Sequence, residues 1–317
     1  MKTSSSLTLV AFVLAAANAA ATTTLTSSNF DLDADATWDN GIPSALGDPD
    51  GQINTDYNFD DMGSGNTGGN FDASGLGAIS ITQTAGNGIG DQYNVHSNPN
   101  FTFNLNGGSM TSDGGSFIIN GTNFNIGGGS LSALEFRLAN GSMNVTSGSF
   151  TASLISLRGG TFNQTGGIIT SNHGGPVFNR ADTTTTLNLL GGSLIAGANN
   201  NNSLLQSIGL DTTIGGSLTA DLPGALNIFA GGNHGNSSTL NFNSDWTGSL
   251  TLDSATAWDN VFEAGDIFYD GTELGANDFE SYFQNNNGVI TLVPEPSSAL
   301  LGLIGCGGLL VRRRRHA

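Results

Sequence analysis

The chain has 317 residues, 47 of them glycine, only 11% charged, with a formal net charge of −18. So acidic a surface repels nucleic acid and anionic lipid. The only cysteine, Cys306, allows no internal disulfide, so burial and backbone hydrogen bonds must hold the fold together.

Residues 1–21 have the layout of a secretory signal. Lys2 is its basic start, Leu7 to Ala17 its apolar core, and Ala17-Asn18-Ala19 or Ala19-Ala20-Ala21 its cleavage pattern. The apolar run is shorter than the roughly 20 residues of a membrane span. Without this segment and the C-terminal tail, eight basic residues fall to three as Lys2 and four terminal arginines go, and 26 acidic residues fall to 25 as Glu295 goes. The body then carries 3 − 25 = −22 and no lysine, which favours solubility.

Residues 22–100 are rich in Gly, Asn and Asp and only weakly periodic, and read as the start and irregular N-terminal cap of the β domain. Strand-like pieces lie at 22–26, 77–84 and 92–95. Asp31, Asp33 and Asp35 alternate as hard oxygen ligands for calcium would. The EF-hand pattern fails, with Ala36 at its glycine position and Ile42 at its glutamate position, and a solvated acidic loop explains the run as well. The expectation is no cofactor, with Ca²⁺ at these aspartates as the exception.

Residues 101–250 are regular. Phe101 to Leu105 alternates apolar and polar residues, the period of a half-buried strand. Gly-Gly-Ser units followed by an apolar residue then recur, at Gly107, Gly114, Gly128, Gly191 and Gly215, with variants at Asn140, Gly148, Gly159 and Gly166. Through Ser109, Ser130, Ser149, Ile168, Ser193 and Ser217 the steps are 21, 19, 19, 25 and 24 residues. Strands broken by glycine corners at this period predict a right-handed parallel β-helix, a solenoid whose coils are stable only when stacked. The alternative is a β-sandwich with glycine turns. The small hydroxyl residue is expected to satisfy a backbone group at the corner.

Residues 251–292 read as a C-terminal β-hairpin cap. One hairpin turns at Asp270-Gly271, residues 277–283 make at most one helical turn, and Gly288 to Val293 forms a last strand. Asn285 to Asn287 reads as an exposed loop. Trp246, Trp258, Phe262, Phe268 and Phe283 are expected to plug the open end of the solenoid.

Little in the body suggests a reaction. His96, His173 and His234 lack ligand spacing, and no Gly-x-Ser-x-Gly elbow occurs. Gly86-Asn87-Gly88-Ile89-Gly90 has the glycines of a nucleotide loop without a helix after it. Arg137, Arg158 and Arg180 are spaced by 21 and 22 residues, about one coil per step, and would stack along one face. Such a ladder suits a polyanionic glycan or neighbouring aspartates. The apolar flanks of Arg137 and Arg158 favour outward charges that discourage edge pairing.

Residues 293–317 form a separate device. Val293-Pro294-Glu295-Pro296 is followed by a short apolar run and by Arg312, Arg313, Arg314 and Arg315. The prolines keep the motif extended and off the sheet, and the arginines stop transfer on the cytoplasmic side. The run from Ser297 to Val311 is glycine-broken and short of a span, and suits a temporary hold. This tail resembles a PEP-CTERM sorting signal of exported proteins of Gram-negative bacteria. The resemblance implies recognition near Pro-Glu-Pro by an exosortase-type membrane enzyme, brief inner-membrane anchoring, and a final place at the cell surface or in the extracellular matrix. The Gly-Gly-Ser coils are loosely similar to autotransporter passengers. Together these features lead to the expectation of a non-enzymatic surface or secreted protein that associates with extracellular polysaccharide. The alternatives are a β-helix polysaccharide lyase or hydrolase and a calcium-dependent carbohydrate-binding module.

Overall fold

Alternation of apolar and polar residues turns every second side chain of a strand inward. Along the regular part of this chain such runs meet a glycine corner within a few residues, so the strand bends instead of reversing. The computed structural model describes residues 23–24, 50–59, 70–72, 77–172, 178–179, 185–196, 210–221, 239–251, 267–275 and 277–293. They are nearly all strand, with a single helix, Phe279–Tyr282, among them.

The strands stack in parallel as a β-solenoid with three faces. Its regular body is the five coils that begin at Phe101, Thr122, Gly141, Gly160 and Thr185. The strands Thr122–Leu138 and Gly141–Leu157 each run along all three faces of one coil. On the first face Ile81, Phe103, Phe124, Met143, Phe162 and Leu187 lie in register and point inward. On the second, Met110, Leu131, Phe150, Ile169 and Leu194 do the same. On the third, Tyr93, Phe117, Phe136 and Ile155 form the column. Rings therefore stack on rings: Phe103 and Phe124 are 5.2 Å apart and 2° from parallel, and Tyr93 and Phe117 are 4.2 Å apart and 3° from parallel. Each fully buried phenylalanine contributes roughly 1.5–3 kcal/mol by leaving water. Parallel pairing from Thr23 to Tyr269 excludes the sandwich.

The corners between the first and second faces set how closely coils approach. Gly148 has φ +78°, and a Cβ on it would lie 2.2 Å from the Gly129 carbonyl oxygen of the preceding coil. Only glycine fits there.

Several expectations need correction. Gly114-Gly115-Ser116 marks the corner between the second and third faces, inside Ser109–Asn120, so it is not equivalent to Gly107-Gly108-Ser109. Ser193 pairs with Thr219, not Ser217, because the first-face step here is already 25 residues and the corner at Gly216 takes one residue more than the corner before it. The solenoid already begins within residues 22–100, in keeping with their reading as its start. Ile79–Gln83, Asn87–Gly90 and Tyr93–His96 form a three-faced coil, and Asp50–Ile53, Tyr57–Asn58 and Asn70–Asp72 stack on it in turn. Asn285 and Asn286 belong to the strand Phe283–Asn286 instead of a loop, and Asn287-Gly288, both at positive φ, turn it into Val289–Leu292. The Asp270-Gly271 hairpin is present with both residues at positive φ, the signature of a type I′ turn.

The C-terminal cap closes the second face. Val289–Leu292 pairs antiparallel with Ser249–Thr251, and Phe283 packs 4.9 Å from Phe242, which lies 5.3 Å from Trp246. Phe268 is half-buried in an outward column opposite Asn241. Trp258 and Phe262 lie outside the described residues.

The corner geometry yields a stability test. Gly148→Ala should destabilise the protein by about 1–3 kcal/mol. Gly77→Ala, where the added Cβ meets nothing within 4 Å, should shift the unfolding midpoint far less in denaturant titrations.

Candidate functional site

Stacking in register sorts the outward side chains into columns as strictly as the inward ones. On the first face the outer column is Asn104, Asn125, Asn144, Asn163 and Asn188. Each amide donates from Nδ2 to Oδ1 of the asparagine one coil earlier: Asn125 to Asn104 at 2.8 Å, and Asn144, Asn163 and Asn188 to their predecessors at 2.7 Å. Asn104 ends the ladder on Ser80 Oγ at 3.2 Å. Beside it run Thr102, Asn123, Ser142, Thr161 and Thr186.

The second face carries two columns of mostly hydroxyl residues. One is Ser109, Ser130, Ser149, Ile168 and Ser193, and the other Thr111, Ser132, Thr151, Thr170 and Ile195. Coils rise about 4.8 Å and same-face neighbours along a strand are about 6.6 Å apart, so the hydroxyls form a two-dimensional lattice. Ser109, Ser130, Ser149 and Ser193 thus begin the second-face strand and point outward. Across the five regular coils neither face carries a charged side chain in these columns, although the chain is strongly acidic.

Among the described residues the charges of this region sit on the third face and its corners, with Asp113 exposed at the corner before it and Arg158 just after it. Arg137 donates to both carboxylate oxygens of Glu135 from Nε (2.6 Å) and Nη2 (2.8 Å), and Ser116 Oγ donates to Glu135 at 2.9 Å. Burial pushes the Glu135 carboxyl up, but the hydrogen bonds from Arg137 and Ser116 and the charges of Arg137 and Arg158 bring it below the usual value. The expected arginine ladder is not formed. Arg137 lies opposite Ser156, and Arg158 falls two residues further on, with Nε on Ser156 Oγ at 3.3 Å. The coil step here is 19 residues, so a spacing of 21 overshoots it. Arg180 lies outside the described residues.

At the N-terminal head of the second face a groove of about 350 Å³ is lined by Asp56, Tyr57, Asn58, Asn87 and Ile89. Asp56 Oδ1 accepts from the Asn87 backbone N–H at 2.8 Å and from Asn87 Nδ2 at 3.0 Å. Burial, with the neighbouring Tyr93, holds the Tyr57 phenol well above its ordinary pKa, so it stays a neutral donor.

Among the described residues no group of three His, Cys, Asp or Glu side chains could hold a metal, and no helix is long and apolar enough to cross a membrane. Asp31, Asp33 and Asp35, the motif residues Pro294, Glu295 and Pro296, and Arg312 to Arg315 lie outside the described residues. Val293 is the last residue described, and its N–H donates to the Tyr282 carbonyl at 2.8 Å. Sequence reasoning missed the asparagine ladder, the hydroxyl lattice and the groove. The ladder had a readable signal, since its asparagines step by 21, 19, 19 and 25 residues, in phase with the serines.

Comparison with known proteins yields no match: no family model, no curated protein and no solved structure aligns with the chain.

Two tests follow from these columns. Asn144→Asp places a carboxylate against Asn125 Oδ1 and removes a donor, so it should destabilise by about 1–3 kcal/mol, whereas the outward Ser132→Ala should stay within about 0.5 kcal/mol in the same titration. The lowered Glu135 pKa stabilises the fold above the ordinary carboxylate range, and that contribution is lost as pH falls through the lowered folded value. Glu135→Gln should therefore flatten the acid side of the stability–pH profile, and an unchanged slope would contradict the assignment.

Proposed function

We propose that the chain is an exported, non-enzymatic β-solenoid, sorted through its C-terminal tail by an exosortase-type enzyme and held in the extracellular polysaccharide or biofilm matrix of a Gram-negative-type bacterium. The observation that carries the matrix part is the pair of adjacent faces that are free of charge over five coils. Hydroxyl and amide groups exchange hydrogen bonds with water for hydrogen bonds with sugars without stripping solvent from an ion. The acids placed elsewhere keep the body soluble.

The sorting part is supported by the tail and by the way the body ends. The last strand closes on Phe283–Asn286 and Ser249–Thr251, and Val293 makes its backbone hydrogen bond one residue before Pro294. A cut within Pro294 to Pro296 removes no described strand. The residues before it are tied down, and the two prolines offer the enzyme an extended segment. The short apolar run then acts as a passing hold in the inner membrane, with Arg312 to Arg315 on the cytoplasmic side.

The test is expression of the full chain in a bacterium with an exosortase-type enzyme, followed by fractionation and intact-mass measurement. The wild-type protein should lose both terminal segments and appear at the surface or in the medium. The double variant Pro294→Ala/Pro296→Ala should keep its tail and stay with the inner membrane. Identical mass and location for the two would overturn the sorting reading.

A further inference from the structure

The groove at the head of the second face has a fixed floor and an unassigned role. Tyr57 lies in the inward column opposite Gly88, and a Cβ on residue 88 would come within 2.4 Å of Tyr57 Cζ. The ring thus occupies the space that a side chain at 88 would take. Its hydroxyl donates to Gln83 Oε1 at 2.7 Å, and the fully buried Gln83 donates in turn to the Gly86 and Ser109 carbonyls at 3.0 and 3.1 Å. The floor is therefore set by the core and needs no ordering when a ligand arrives.

The rim runs into the hydroxyl lattice. Asn87 donates to Asp56 Oδ1, and Asn87 Oδ1 accepts from Ser109 Oγ at 2.8 Å. Asn87 stacks on Ser109 at the top of one column, and Asn58 and Ile89 stack on Thr111 at the top of the other. Ile89 is 53% exposed and Ile168, four coils along the same face, is 46% exposed. Ile89 and Ile195 stand at the two ends of one column with four hydroxyl residues between them, and Ile168 interrupts the serines of the other. A pyranose presents this combination in reverse, with an apolar C–H face and a rim of hydroxyls.

From this geometry we infer that the groove is a saccharide subsite and that the second face is its track, binding an extended neutral polysaccharide along the solenoid axis. The inference rests on the polysaccharide part of the reading above and names its face and ligand class. Ile89 covers the C–H face of one sugar, Asp56 accepts from its hydroxyls, and Asn58 supplies an amide. The columns from Ser109 and Thr111 meet the following residues, because a rise of about 4.8 Å per coil is close to the advance per sugar in an extended β-linked chain. Selection for a neutral chain comes from charge. The groove holds a carboxylate, the columns between Ser109 and Ile195 hold no cation, and the acidic body repels a polyanion.

Affinity electrophoresis of the full chain in gels containing mixed-linkage β-glucan, galactomannan or alginate tests the inference. Wild-type protein should be retarded by at least one of the neutral polysaccharides and not by alginate. Ile89→Ala and Thr151→Arg, one in the groove and one on the track, should each weaken retardation about tenfold or more. Thr161→Arg on the first face and Ile118→Arg on the third should bind as wild type, with unfolding midpoints confirming that all four variants fold. Neutral-glycan retardation that Thr161→Arg or Ile118→Arg abolishes, while Ile89→Ala and Thr151→Arg retain it, overturns the site and leaves the polysaccharide reading standing. Retardation by alginate alone overturns the neutral track and leaves the polysaccharide reading standing, and retardation by none of the three overturns both.

Discussion

The structure depends on one constraint: parallel coils stack in register at about 4.8 Å, so every side chain lies on its counterpart one coil away. Inward, this puts Phe103 on Phe124 and Tyr93 on Phe117. At the corners it puts a carbonyl oxygen where a Cβ on Gly148 would be. Outward, it links five asparagines into a ladder in which each amide supplies its neighbour's missing partner. A column also repeats any charge placed in it, and like charges at that spacing repel. The acids are accordingly kept out of the outer columns of the first and second faces across the regular coils. On the third face Glu135 is balanced within its own coil by Arg137.

That constraint explains the absence of charge on two faces over the five regular coils, beyond which the same columns reach Asp211 and Asp221, but not the hydroxyls that replace it. Valine and isoleucine suit a strand better than serine does. A fold that needed only stacking would have no use for serine at 109, 130, 149 and 193. An uncharged lattice that joins a groove fits an outward role better, and it accords with the export proposed above.

How much of this was legible in the sequence depended on whether a residue's chemistry had one use or several. Glycine at a corner has one, so the Gly-Gly-Ser spacing revealed the solenoid and its step. Asp270-Gly271 revealed its hairpin for the same reason. Asparagine has several uses. Asn144 and Asn163 carry the period of the serines, yet asparagine also marks loops, and the ladder passed unread. Between residues 50 and 96 the strands near 77–84 and 92–95 were read, but the coil repeat was not, because the strands there are two to five residues long, too short to establish a period. Arg137 and Arg158 misled because their 21-residue spacing matches the step at Ser109 but not the 19-residue step at their own place in the stack. The groove depends on Tyr57 filling the space above Gly88, a contact between coils that no local pattern announces.

The central claim is that register sorts the surface into faces of distinct chemistry and that the second face meets a neutral glycan. Isoleucine-methyl NMR during titration with a neutral β-glucan tests it most directly. Ile89, Ile168 and Ile195 report on the second face, Ile118 on the third, and Ile81, Ile126 and Ile155 on the core. The account predicts saturable shifts at Ile89, Ile168 and Ile195 with the other four unmoved. Shifts centred on Ile118, or spread evenly over core and surface, would contradict it.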